Sequence, residues 1–154
     1  MSRQLREAYG DMLRPHAWDV FLTLTFDPER LVTSFATASE AADKAFRRLV
    51  QFANEQLYGR RWLRKTRHKG LIWVRVQESH RSGRLHYHAC LHSPTVPFTD
   101  GLRRAIRSWW RQRFGQVESE RPKSNELVIR YMTKHVNDPE KAELSFSHNY
   151  PKHR

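Results

Sequence analysis

The 154-residue chain predicts an α+β fold, an antiparallel sheet with helices packed on one side of it. Three observations predict this. Apolar and polar residues alternate through 18–26, two further β-type runs at 71–79 and 85–92 flank a short Arg81-Ser82-Gly83 turn, and several other stretches carry apolar residues at helical spacing. The length suits one domain, and a chain of this size hides about 68–70% of its unfolded surface, enough for a real core.

Taken in order, residues 1–14 read as an arm or short amphipathic helix closed by Pro15. Trp18-Asp19-Val20-Phe21-Leu22-Thr23-Leu24-Thr25-Phe26 is a strand ended by Asp27-Pro28, with Val20, Leu22, Leu24 and Phe26 on one face and Asp19, Phe21, Thr23 and Thr25 on the other. Thr37-x-x-Glu40 is a capping box for a helix whose stripe is Ala42, Ala45, Phe46, Leu49, Phe52 and Ala53, stopped by Gly59. The basic stretch 60–69 reads as a solvated connector, and the hairpin 71–92 follows it. Thr99-Asp100 caps a second long helix, with Leu102, Ala105, Ile106, Trp109 and Trp110 on its apolar stripe, Arg103, Arg107 and Arg111 opposite, and Gly115 at its end. A further strand is expected at 116–121. Ser124 or Asn125 caps a last helix with Leu127, Val128, Tyr131, Met132, His135 and Val136 on one face. From Asn137-Asp138-Pro139 onward the chain is polar and expected to lack order. The organisation is thus an arm (1–15), a core (16–138) and a polar tail (139–154), with no internal repeat.

Composition excludes several classes of function. No apolar run approaches the roughly 20 residues of a membrane span, no secretory signal opens the chain, and a single cysteine precludes an internal disulfide framework. A reducing compartment, the cytoplasm, is the expected location. With 28 Lys and Arg against 16 Asp and Glu, the formal charge is +12, which points to an anionic partner such as nucleic acid. The charge is clustered. Arg60, Arg61, Arg64, Lys65, Arg67 and Lys69 fall within one acid-free segment, and residues 103–113 carry five arginines and no acid. These segments are candidates for sequence-independent attraction of phosphates.

Leu85-His86-Tyr87-His88-Ala89-Cys90-Leu91-His92 is the stretch richest in chemistry. Residues two apart on a strand share a face, so His86 and His88 form a ready pair of metal ligands, with Cys90 and His92 further along the same face. Glu78 on the preceding strand is the candidate third ligand, and hairpin register decides whether it reaches. A three-residue loop pairs Glu78 with His86 and Val76 with His88, and puts Gly83 in the left-handed position; a two-residue loop turns the carboxylate to the other face. The metal reading requires the former. The competing reading makes the two histidines polar residues of a solvated face. Tyr87, on the opposite face, is expected to pack.

Tyr131 and Lys134 lie three apart on the last helix, within reach of neighbouring ridges. A phenol with a pKa of about 10 is a poor nucleophile. A metal polarising a phosphodiester, with an ammonium nearby, would let it attack.

The strand Phe21-Leu22-Thr23-Leu24-Thr25-Phe26, the His86-Tyr87-His88 strand and the Tyr131-x-x-Lys134 helix occur in this order with globular spacing. In this trio the chain resembles the HUH endonucleases, specifically the single-tyrosine rolling-circle replication initiators, or Rep proteins, over roughly residues 18–137. The resemblance implies a single HUH endonuclease domain, an HUH or RRM-like architecture of about five antiparallel strands. It implies Mg²⁺ or Mn²⁺ on His86, His88 and Glu78, attack by Tyr131 on single-stranded DNA to leave a 5′-phosphotyrosine and a free 3′-hydroxyl, and Lys134 positioning or neutralising the phosphate. Thr23 and Thr25 would touch the DNA, an origin or hairpin. Tyr87 departs from the usual aliphatic between the histidines. With no Gly-x-x-x-x-Gly-Lys-Ser/Thr in the sequence, a host helicase, or another part of a longer protein, would open the duplex.

Other readings compete. A single-tyrosine transposase of the same superfamily is the nearest, while a relaxase would place its tyrosine near the N-terminus, where only Tyr9 stands. A non-catalytic single-strand-binding module would use Trp62, Trp73, Trp109 and Trp110 beside the basic patches. A structural zinc site of His86, His88, Cys90 and His92 would need tetrahedral closure within one strand.

Overall fold

Five strands form one sheet in the order β4-β1-β3-β2-β5, every neighbouring pair antiparallel. The elements are α1 (Arg3–Leu13), β1 (Val20–Thr25), α2 (Ala38–Tyr58), α3 (Trp62–Lys65), β2 (Ile72–Ser79), β3 (Leu85–His92), α4 (Asp100–Arg113), β4 (Val117–Glu120), α5 (Asn125–Thr133) and β5 (Ala142–Phe146). This computed structural model describes residues 3–30, 37–65, 70–79, 84–134 and 142–147. No helix among the described residues is long and apolar enough to cross a membrane.

The alternation of β1 has the expected outcome. Val20, Leu22 and Leu24 are fully buried, and with Tyr87, Ala89 and Leu91 of β3 they meet α2 and α4 in the larger core. Phe26 stands edge-on to Tyr87 and to Trp110, each at 5.2 Å between ring centres, and the Trp110 indole donates to the Thr25 carbonyl at 3.1 Å. Thr37 is the N-cap of α2, with the Glu40 amide donating to Thr37 Oγ1 at 3.1 Å, which is the threonine half of the expected capping box. Gly59 ends α2 at a φ of 89°, a conformation that favours glycine. Thr99 and Ser124 cap α4 and α5. α4 ends at Arg113 with Phe114 as its C-cap, and Gly115 just beyond serves a different purpose from the expected stop: a Cβ there would collide with the Thr25 carbonyl and the Asp27 amide, so glycine lets the chain close against the end of β1.

Several expectations are corrected. Helices cover both faces of the sheet, because α1 and α5 present a second apolar stripe. Leu13, Val128, Ile129 and Met132 meet Trp18, Ile72, Val74, Val76 and Cys90 there. The buried side of α5 is therefore Val128, Ile129 and Met132, one residue out of phase with the stripe read from the sequence, and Leu127 and Tyr131 are exposed. His135 and Val136 lie outside the described residues. The connector holds the short α3, with Trp62 folded against Gly70. The expected disorder after Pro139 fails at 142–146. There, Leu144 and Phe146 alternate with polar residues, so β5 pairs with β2 and packs both side chains, Phe146 stacking on Tyr9 at 5.9 Å.

Candidate metal centre

The β2–β3 register pairs Glu78 with His86 and Val76 with His88, as the three-residue loop requires. The loop itself, Gly83 included, lies outside the described residues. Period-two alternation then carries Glu78, His86 and His88 to the α1/α5 face, where both imidazoles are almost fully buried. Glu78 Oε2 lies 2.7 Å from His86 Nε2 and 3.3 Å from His88 Nε2. One ligand atom from each residue falls within 4.8 Å of the others, and among the described residues this is the one such group of three.

The donor chemistry tests whether a metal fits. Two imidazole nitrogens and a carboxylate oxygen converge on one point, and three electron-pair donors so placed repel unless a cation, a proton or a metal ion, stands among them. Two imidazole nitrogens and one carboxylate oxygen are a donor set that suits a divalent cation. A further residue completes the arrangement: Thr23, level with His88 in the β1–β3 register, brings Oγ1 to 3.2 Å from His88 Nδ1. When Nδ1–H donates to Thr23, the Nε2 lone pair faces the cluster, the usual orientation of a metal-bound histidine.

Tyr131 reaches this centre from α5. Its hydroxyl is 3.1 Å from His88 Nε2, and its ring packs edge-on to Phe21 at 5.1 Å and against His88 at 4.8 Å. The side chain is 40% exposed, so a large substrate has access to it. Burial first, and then the Glu78 carboxylate, push its pKa above the ordinary phenol value. The phenol is therefore protonated at neutral pH, and with the His88 proton on Nδ1 and no metal bound its O–H donates to Nε2.

The other residues marked in the sequence are placed unevenly. Lys134 is exposed one residue past α5, and its backbone N–H caps the Tyr131 carbonyl at 3.3 Å. Thr25, level with His86, donates to the Gln116 carbonyl at 3.3 Å and accepts from the Gln116 amide at 3.2 Å. Arg60, Arg61 and Arg64 follow α2 beyond Tyr58, whose hydroxyl meets Ser93 at the far end of β3 from His86. Six residues of strand separate His86 from His92, about 20 Å, so this segment is remote from the cluster. The Lys65 side chain, Arg67 and Lys69 lie outside the described residues. Arg103 and Arg111 turn to the outer strand and donate to the Ser119 and Val117 carbonyls, with Arg107 half-buried between them on the opposite face of the sheet from the cluster. Of these arginines, Arg111 comes nearest the centre, in the wall of a cavity that also holds His86.

Trp62, Trp73 and Trp110 are buried and Trp109 stacks on Phe52 at 5.2 Å, so this set offers no open platform for bases. Cys90 is fully buried, and burial pushes its thiol far up, away from the thiolate a zinc ion binds. His92 turns instead to Asp19, 3.3 Å away. Sequence reading missed the pairing of Thr23 with His88, which depends on a register between distant strands, and it passed over Arg30 and Arg84, which line the cavity beside His86. Arg84 carried a signal, since it stands two residues before His86.

The sequence profile of the replication-associated protein ORF2 family matches residues 19–136, from the start of β1 to just past α5. The chain has no significant match among curated proteins or among solved structures.

Proposed function

The chain belongs to the replication-associated protein ORF2 family, and from that premise we propose that it initiates replication as a single-tyrosine nickase of the HUH type, cutting and rejoining single-stranded DNA through a 5′-phosphotyrosine. One observation carries this reading: the Tyr131 hydroxyl stands 3.1 Å from a buried histidine of the Glu78-His86-His88 cluster. A nucleophile and a metal-ligand set meeting from different elements suit transesterification at phosphorus.

Mg²⁺ or Mn²⁺ held by Glu78, His86 and His88 would supply Lewis-acid polarisation of the scissile phosphate and offset the Glu78 charge, which after burial is the second cause that raises the Tyr131 phenol. Thr23 fixes the tautomer and angle of His88. Tyr131 Oη attacks, the P–Oη bond forms and the P–O3′ bond breaks. The phenolic proton leaves to solvent from the exposed side of Tyr131, and the departing 3′-oxygen takes one up. The number of phosphoester bonds is unchanged, so a 3′-hydroxyl can reverse the step and rejoin strands. Lys134 follows the helix on a long flexible stem and offsets the charge of the bound phosphate. The excess of 12 positive charges draws in the DNA. A separate helicase of the host would expose the strand.

The test is a denaturing gel of the protein mixed with random-sequence single-stranded DNA and Mn²⁺, with EDTA and Tyr131→Phe in parallel lanes. A protein-linked DNA band that disappears in both controls is the expected result. Binding with no covalent band across a well-covered pool would leave a single-strand-binding module instead.

A further inference from the structure

Past the cluster, towards the ends of β1 and β3, lies a cavity of about 500 Å³, within the range of small-ligand sites. His86 forms part of its wall, so the cavity adjoins the metal centre directly. Arg30, Arg84 and Arg111 line it against one acid among the described residues, Asp27, whose carboxylate lies 3.6 Å from Arg30 and accepts the Glu29 amide at 3.0 Å. Arg30 also donates to the Arg111 carbonyl at 2.5 Å and Arg111 to the Val117 carbonyl at 3.4 Å, each through one guanidinium nitrogen, so their other N–H groups, with those of Arg84, make a site for an anion, and planar guanidinium forks match phosphate oxygens. Phe26, Pro28 and Leu85 give the remaining wall an apolar surface of the kind a base or sugar packs on.

Register orders the parts along the strands. Phe21 is level with Cys90, Thr23 with His88 and Thr25 with His86. Tyr131 packs on Phe21 and His88, at the first two levels, whereas the cavity begins at Thr25 and His86 and extends outward. The sequence in space is therefore nucleophile, metal cluster, basic cavity. In an in-line displacement at phosphorus the attacking and leaving oxygens lie on opposite sides of the phosphorus atom. With Tyr131 on one side, the leaving 3′-oxygen points to the other.

We infer that this cavity is the subsite for the nucleotide immediately 5′ of the cut, with its 5′-phosphate on Arg84, Arg111 and Arg30 and its 3′-oxygen directed at the cluster. This rests on the catalytic reading above. It sets the polarity of the strand across the sheet, 5′ end over the cavity and 3′ end beyond Tyr131. It also gives the cavity a task after cleavage: holding the freed 3′-hydroxyl in place for rejoining.

A deoxynucleoside 5′-monophosphate carries the groups this subsite would meet, a 5′-phosphate and a free 3′-hydroxyl. Titrating an equal mixture of the four into the whole protein in EDTA, with backbone amides followed by NMR, is expected to shift Thr25, Leu85 and Gln116, and the corresponding nucleosides far less. Arg84→Gln, at an exposed position before β3, should weaken binding several-fold, and Arg84→Gln with Arg30→Gln at least tenfold. Both variants should also form the covalent band correspondingly more slowly on random-sequence DNA with Mn²⁺. Shifts centred on Phe21, Leu127 and Tyr131, or variants that bind nucleotide and form the band as the wild type does, would overturn the assignment while leaving the nickase reading standing. Nucleotide binding in the cavity with no covalent band from the wild-type protein would remove the nickase reading, and the assignment to the leaving nucleotide with it.

Discussion

On β3, Tyr87, Ala89 and Leu91 point into the layer covered by α2 and α4, while His86, His88 and Cys90 point to the layer covered by α1 and α5. The two layers differ in how they are finished. At 21 and 14 residues, α2 and α4 extend about 32 Å and 21 Å, against about 27 Å for an eight-residue strand, so they cover the sheet with apolar side chains. At 11 and 9 residues, α1 and α5 reach only about 16 Å and 14 Å. Their apolar cover sits around Leu13, Trp18, Ile72 and Val74, near the β3 end marked by His92. At the other end the layer is completed by the polar set Glu78, His86, His88, Thr23 and Tyr131. Short helices leave part of a sheet face free for polar chemistry, while long ones on the reverse cover that face with apolar side chains.

If that division is right, substitutions on the two faces separate stability from activity. The largest separation should come from His88→Ala and Trp110→Ala. His88→Ala is expected to abolish the covalent band while costing about 1 kcal/mol in urea unfolding, the size of an ordinary substitution. Trp110→Ala should cost about 3–5 kcal/mol, because it empties a fully buried site. A His88→Ala protein that unfolds outright would show that the polar end of the face carries stability as well as chemistry.

A smaller effect concerns Arg75, buried on the α2/α4 face with Phe46, Trp73 and Tyr87 within 5.6 Å and paired with Asp43. Burial alone would raise the Asp43 carboxyl, but hydrogen bonds and charges from Arg47 and Arg75 outweigh it and hold the group below its ordinary value. Because the folded-state pKa is depressed, this contribution is present above the unfolded carboxyl value of about 3.9 and is lost as the pH falls through the lower folded value. Asp43→Ala should therefore cost about 2–3 kcal/mol at pH 7, at or below the low end for a broken buried pair because Asp43 is a third exposed. Urea titrations of both proteins at pH 7 and pH 2.5 should show the gap between them narrowing at the lower pH.

Thr23→Val keeps the shape and removes the partner of His88 Nδ1. Mn²⁺ affinity, read by calorimetry, should fall about 10–100-fold with little change in unfolding midpoint. The smallest effect is expected of Leu127→Ser on the exposed side of α5, within about 0.5 kcal/mol of wild type.

Much of this was legible in the sequence where the signal is local. Alternation in 20–26 and 85–92 assigned each residue to its face, and hairpin arithmetic put Glu78 opposite His86. What escaped was non-local or out of phase. The pairing of Thr23 with His88 depends on how β1 meets a strand more than 60 residues away. Leu127 and Tyr131 drew the apolar stripe of α5 round by one residue, or about 100°. Five residues of β5 hold too few apolar side chains to stand out from a polar run, and only the edge of β2 gives them a partner. The basic charge of α4 was plain, but not that two of its arginines would each donate to a carbonyl of β4.

The central claim is that Tyr131 becomes joined to DNA at the Glu78-His86-His88 cluster. Its most direct test is tandem mass spectrometry of the protein after reaction with single-stranded DNA and Mn²⁺, followed by nuclease and protease digestion. A nucleotide remnant is expected on the peptide carrying Tyr131, localised to that phenol and lost in EDTA. A remnant on Tyr9 or any other side chain, or unmodified Tyr131 in a sample whose DNA has been cut, would contradict it.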